Sequence, residues 1–101
     1  MAGRAGKIVD ERFYLSGAKG GGMIRREVWV DRRGRVSRYN LAYINYRIFT
    51  GDNGRVLGYD SAHGYHHRHY LGKVTPIAFR SFKEIDARFR KEWTRMAKEA
   101  R

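Results

Sequence analysis

The chain changes its hydrophobic period once, and that change limits what it can fold into. Between residues 24 and 71 apolar and polar residues alternate in short runs, whereas after Ser81 apolar residues return every three or four positions. A period of two gives a strand with two distinct faces; a period near 3.6 gives a helix with one apolar stripe. In "MIRREVWV" Ile24, Arg26, Val28 and Val30 share one face, and Arg25, Glu27, Trp29 and Asp31 the other. "VSRYNLAYINYRIF" (36–49), "RVLGYD" (55–60) and "YHHRHYL" (65–71) continue the pattern, separated by the turn signals "DRRGR", "TGDNGR" and "SAHG". "KIVDERFYL" (7–15) reads as a first strand or a short helix, and the loop "SGAKGGG" after it lacks the Gly-Lys-Ser/Thr ending of a phosphate-binding loop.

One helix is announced by Ser81 followed three residues later by Glu84, a capping box. Phe82, Ile85, Phe89, Trp93 and Met96 then draw its apolar stripe. The expected architecture is α+β: an antiparallel meander of four to five strands with the C-terminal helix on one face. A chain of 101 residues holds one core. Residues 8–101 are expected to form a single domain, and the small, basic residues 1–7 a flexible arm.

Charge narrows the partners. With 22 Lys+Arg against 10 Asp+Glu the net charge is +12, and a surface of that sign attracts polyanions. Sixteen of the 22 basic residues are arginine, whose planar fork pairs with phosphate and stacks on bases. RNA or another nucleic acid is the expected partner, ahead of an acidic protein or a membrane surface. There is no cysteine and no apolar run long enough for a membrane span, which together suggest a cytoplasmic protein. A homo-oligomer fits as well as a monomer.

All four histidines, His63, His66, His67 and His69, fall within seven residues of "GYDSAHGYHHRHYLG" (58–72). Strand alternation pairs His67 with His69 on one face, together with Tyr65, and sets His66 beside Arg68 and Tyr70 on the other. RNA cleavage needs a base for the 2′-hydroxyl proton, an acid for the leaving oxygen and cations for the developing charge. His63, His67 and His69 are the expected proton carriers, with Asp60 to orient one of them and Tyr65 in support; His66 reads as structural. Arg68, Arg47 and Lys73 would hold phosphate, Tyr43 and Tyr70 would stack on bases, and Arg33, Arg35 and Arg38 would add a phosphate-facing surface.

A His-x-His strand is also a way to present two imidazoles to a metal, and any metal here would sit on His67, His69 and His63. The surrounding positive charge opposes a cation, so the expectation is no cofactor and metal-independent acid–base chemistry. The alternative is a non-catalytic nucleic-acid-binding module in which Tyr39, Tyr43 and Trp29 stack on bases while arginines contact phosphates.

The stretch "NGRVLGYDSAHGYHHRHYLG" (53–72), preceded by an Arg-Tyr-Asn strand and followed by an amphipathic helix, resembles the TumE-like small toxins of prokaryotic toxin–antitoxin pairs. The likeness spans roughly residues 24–96 and is specific over about twenty of them. It rests on Tyr59, Asp60, Ala62, His63, His66, His67 and His69, with Ser61 where the pattern has Asn. The resemblance implies a small α+β toxin neutralised by an antitoxin partner, with an activity suited to nucleic acid.

Overall fold

A computed structural model describes residues 3–101, for His63 the backbone alone. Six strands run as an antiparallel meander in the order of the sequence: β1 (Gly6–Tyr14), β2 (Met23–Val30), β3 (Val36–Ile44), β4 (Arg55–Asp60), β5 (His67–Tyr70) and β6 (Lys73–Pro76). One helix, α1 (Phe82–Glu99), follows. The α+β class and the single C-terminal helix match the sequence-based expectation; the sheet has one strand more.

That strand is β6. Leu71 and Gly72 both take positive φ, 48° and 82°, which is the backbone of a two-residue hairpin loop, and Tyr70 pairs with Lys73 across it. Pro76 pairs with His67 at the outer edge, where its missing N–H removes no ladder bond. At the other end, β1 begins at Gly6, and Lys7 Nζ lies 2.6 Å from Glu27 Oε2. The sheet therefore takes in the last two residues of the stretch expected to be an arm; Met1 and Ala2 lie outside the described residues.

β3 stops at Ile44 rather than running to Phe49. The Asn45 side chain bonds the Arg47 N–H (3.0 Å) and the Gly20 carbonyl (3.0 Å), closing a local turn that competes with the ladder. The glycine-rich loop is a packing device. A Cβ on Gly20 would meet the Ala97 carbonyl oxygen at 2.2 Å, and one on Gly22 the Ile44 carbonyl oxygen at 2.5 Å. Only residues without side chains let this loop approach the end of α1 and the end of β3 so closely.

Helix α1 starts where the cap places it, with the Ser81 hydroxyl accepting from Glu84 N at 3.2 Å. Its buried Ile85, Phe89 and Ala97 meet Ile24, Tyr39, Leu41, Tyr43, Leu57 and Tyr59 from one face of the sheet. Charged groups on that face are bonded to the helix or to β1. Arg26 bonds Asp86 (3.1 and 2.7 Å) and Glu11 (2.6 Å), and Arg68 bonds Glu92 (2.6 Å). The opposite face carries no helix, and register aligns Glu27, Asn40, Asp60 and His67 across four successive strands.

Candidate functional site

Two adjacent strands build the site. Asp60 ends β4 and His67 begins β5 as cross-strand partners, and His69 lies opposite Gly58 one pleat further along. Period-two geometry then turns all three side chains to the open face. His67 Nε2 lies 2.7 Å from Asp60 Oδ1, and His69 Nε2 lies 2.9 Å from Asp60 Oδ2. The two imidazole centroids are 4.8 Å apart at 62°. All three residues are buried although no element covers them, His67 being 4% exposed. Neighbouring side chains do the covering: the Tyr65 ring leans against His67 with centroids 4.8 Å apart.

The second nitrogen of each imidazole is also placed. His67 Nδ1 lies 3.1 Å from the Tyr65 carbonyl, which can only accept, so Nδ1 carries hydrogen. His69 Nδ1 lies 3.0 Å from Arg55 Nη2, which can only donate, so there Nδ1 is the acceptor. Arg55 is itself held by Asp52 through two bonds of 2.8 and 3.1 Å, and its Nη1 is 3.5 Å from Asp60 Oδ2. Burial, and next the Arg55 charge, push His69 below the ordinary imidazole pKa against the pull of Asp60. Its Nε2 is fully buried, and despite the 2.9 Å approach to Asp60 it is not aligned for a hydrogen bond. The short distance marks an electrostatic contact.

Beside the cluster lies an open cavity of about 240 Å³, lined by Arg25, Asn40, Ala42, Ile44, Asp52, Asn53 and Arg55. Its small floor residue Ala42 pairs with Gly58, and two guanidiniums stand at its walls. Further along the same face two cations lie over the Trp29 ring, Lys7 at 5.1 Å and Arg38 at 4.6 Å from its centre.

Of the proton carriers expected from sequence, Asp60, His67 and His69 come together with Tyr65 against them, while the side chain of His63 lies outside what is described. His66 stacks on Phe79 with centroids 3.9 Å apart and bonds the Tyr39 hydroxyl at 2.9 Å. Burial, then the His67 charge, lower its pKa.

The expected nucleic-acid contacts divide. Tyr43 does not present a face to bases: it is fully buried, and its hydroxyl bonds the Gly21 carbonyl at 3.2 Å and receives the Asn45 amide at 3.0 Å. Tyr39 is buried in the same core. Arg68 is not a phosphate ligand at the site, since alternation turns it to the helix face, where Glu92 and the Tyr59 hydroxyl occupy its fork. Arg68 also lies over the Tyr70 ring at 4.9 Å. Arg33, Arg35, Arg38, Arg47 and Lys73 are exposed, but Arg33 and Arg35 sit in the β2–β3 turn, bonded through their backbone N–H groups to Asp31.

Sequence reasoning passed over Arg55, Asp52 and Asn40. Arg55 follows the Asp-Asn-Gly turn that was recognised, but a register shift between Tyr43 and Ile44 re-aims the strand start, and no alternation pattern shows that. The Asp60–Asn40–Glu27 row becomes visible only once strand register is known. Among the described residues no helix is long and apolar enough to cross a membrane. Comparison with known proteins finds no family model, no curated protein and no solved structure that matches this chain.

Proposed function

We propose that this chain binds RNA across the open face of its sheet and cleaves it at the Asp60–His67–His69 cluster. The observation that carries the reading is the carboxylate of Asp60 lying between two imidazole Nε2 atoms, with Arg55 3.5 Å away. Transfer of phosphorus to an RNA 2′-hydroxyl needs proton movement and stabilisation of an anionic transition state, and little else. The cluster supplies the groups that take and return the proton. Arg55 and Arg25, at the walls of the adjoining cavity, supply positive charge for the phosphorane and for the neighbouring phosphate. The net charge of +12 favours encounter with any polyanion, and the 2′-hydroxyl requirement selects RNA over DNA. The resemblance to TumE-like toxins supports a toxin held in check by an antitoxin partner.

A second reading, a non-catalytic RNA-binding module, draws on the Trp29 platform with Lys7 and Arg38 over its ring. One experiment separates the two. Purified chain is incubated with a mixed RNA pool, and with the same sequences as DNA, with and without added divalent metal, beside Asp60→Asn and His67→Gln. Cleavage of RNA only, reduced at least 100-fold in both variants while binding persists, supports the enzyme. Binding without cleavage under every condition leaves the module.

A further inference from the structure

We infer that His67 Nε2, His69 Nε2 and the Asp60 carboxylate form a three-ligand site for one divalent transition-metal cation. The inference rests on the RNA-cleavage reading only for what the ion would do; the site itself is argued from geometry. One candidate ligand atom from each residue lies within 4.8 Å of the others. Two ligands at right angles around an ion, each about 2.1 Å from it, stand about 3 Å apart. The separations are 2.7 Å from His67 Nε2 to Asp60 Oδ1 and 2.9 Å from His69 Nε2 to Asp60 Oδ2.

The buried His69 Nε2 has no hydrogen-bond partner among the described residues. That is unfavourable for a hydrogen-bonded pair, and it leaves the atom available to a shared centre once the ring hydrogen moves to Nδ1. His67 has the outer support such a ligand needs: Nδ1 held by the Tyr65 carbonyl at 3.1 Å leaves Nε2 free to coordinate. Two imidazoles and one carboxylate make a borderline donor set, suited to Zn²⁺, Co²⁺, Fe²⁺ or Mn²⁺, and they leave coordination positions open. In the proposed reaction those positions would take water and a phosphate oxygen; a bound hydroxide would take the 2′-hydroxyl proton in place of an imidazole as the 2′-oxygen bonds to phosphorus, and the water so formed would return it to the departing 5′-oxygen.

Arg55 opposes loading. It donates to His69 Nδ1, whereas a His69 coordinated through Nε2 carries its hydrogen on Nδ1. The acceptor available to that hydrogen is Asp52, whose Oδ2 is 3.9 Å from Nδ1 and is bonded by Arg55 Nε at 2.8 Å. Loading therefore requires Arg55 to release His69, and Asp52 to take its place as the supporting carboxylate. Arg55, once released, is free for phosphate.

The test uses chelator-treated full-length protein titrated with Zn²⁺ by calorimetry and with Co²⁺ by visible absorption, folding being checked by thermal melting. Expected are one ion per chain, ligand-field bands from nitrogen and oxygen donors, and a loss of at least 100-fold in affinity in Asp60→Asn and in His67→Gln. Asp52→Asn is expected to weaken binding about tenfold, and Arg55→Ala to tighten it while abolishing RNA cleavage. Folded protein without stoichiometric binding, or binding unchanged in both ligand variants, overturns the site. RNA cleavage undiminished in metal-free protein in chelator overturns the part given to the ion and leaves the RNA reading standing; a loaded site that cleaves no RNA keeps the metal and removes that reading.

Discussion

Glu92 Oε2 accepts a hydrogen bond from Arg68 Nη2 at 2.6 Å, while its other oxygen accepts from the Tyr59 hydroxyl. This pair ties the strand bearing both buried site histidines to helix α1 on the far side of the sheet. Burial, and next the bond to Glu92, raise the Tyr59 hydroxyl to about 12. Replacing Glu92 by Leu leaves the Arg68 charge half-buried without its partner. A loss of roughly 2 kcal/mol is expected, less than for a fully buried pair because both side chains keep some solvent. Urea unfolding checks it, and Arg68→Met with Glu92→Leu together should recover part of the loss.

Glu27 gives the molecule an acid-sensitive contact remote from the histidines. Burial alone would raise its pKa, but bonds from Lys7, Arg25 and Asn40 outweigh that and hold it at about 2. A carboxylate depressed in the folded state stabilises fully above its unfolded pKa of about 4.5, and that stabilisation is lost as pH falls from there towards 2. Comparing Glu27→Gln with wild type from pH 7 to pH 2.5, the wild type should lose more stability, by on the order of 2 kcal/mol. Parallel pH curves for the two proteins would remove the assignment.

His66 stacks on Phe79 and bonds Tyr39 but does not touch Asp60. His66→Phe is expected to keep RNA cleavage within about threefold while costing about 1 kcal/mol from the unpaired Tyr39 hydroxyl. A loss of activity comparable to His67→Gln, in protein of near-wild-type stability, would place His66 in the reaction.

The glycines separate strain from space. Gly34 has φ of 78° with nothing within 4 Å of a built Cβ, so Gly34→Ala should cost about 1 kcal/mol through backbone conformation alone. Gly20→Ala adds a collision with the Ala97 carbonyl to a φ of 105°, and should cost at least about 3 kcal/mol. Thermal melting of the two variants measures the difference.

Much of this was legible because strand alternation and the Ser81 cap are local. The shared face of His67 and His69, the helix start and the turn at Asp52–Gly54 each depend on residues close in sequence. What stayed hidden depends on register and depth. Tyr43 and Tyr39 alternate as an aromatic binding face would, yet α1 covers their side of the sheet. Arg68 carries the charge of a phosphate ligand, but its partner Glu92 lies 24 residues away. β6 escaped notice because a four-residue run ending in Pro76 carries little pattern, although Leu71-Gly72 beside Val74 and Thr75 was the available signal.

The side chains that contact the Asp60 carboxylate, and the Asp52 that restrains one of them, all come from the β4–β5 hairpin and the turn before it. Apart from Arg25 and Asn40 at the wall of the adjoining cavity, the other strands and the helix serve to keep that hairpin flat and its far side dry. Substitutions in that hairpin are therefore expected to act on the site directly, and those elsewhere chiefly through the support they give it.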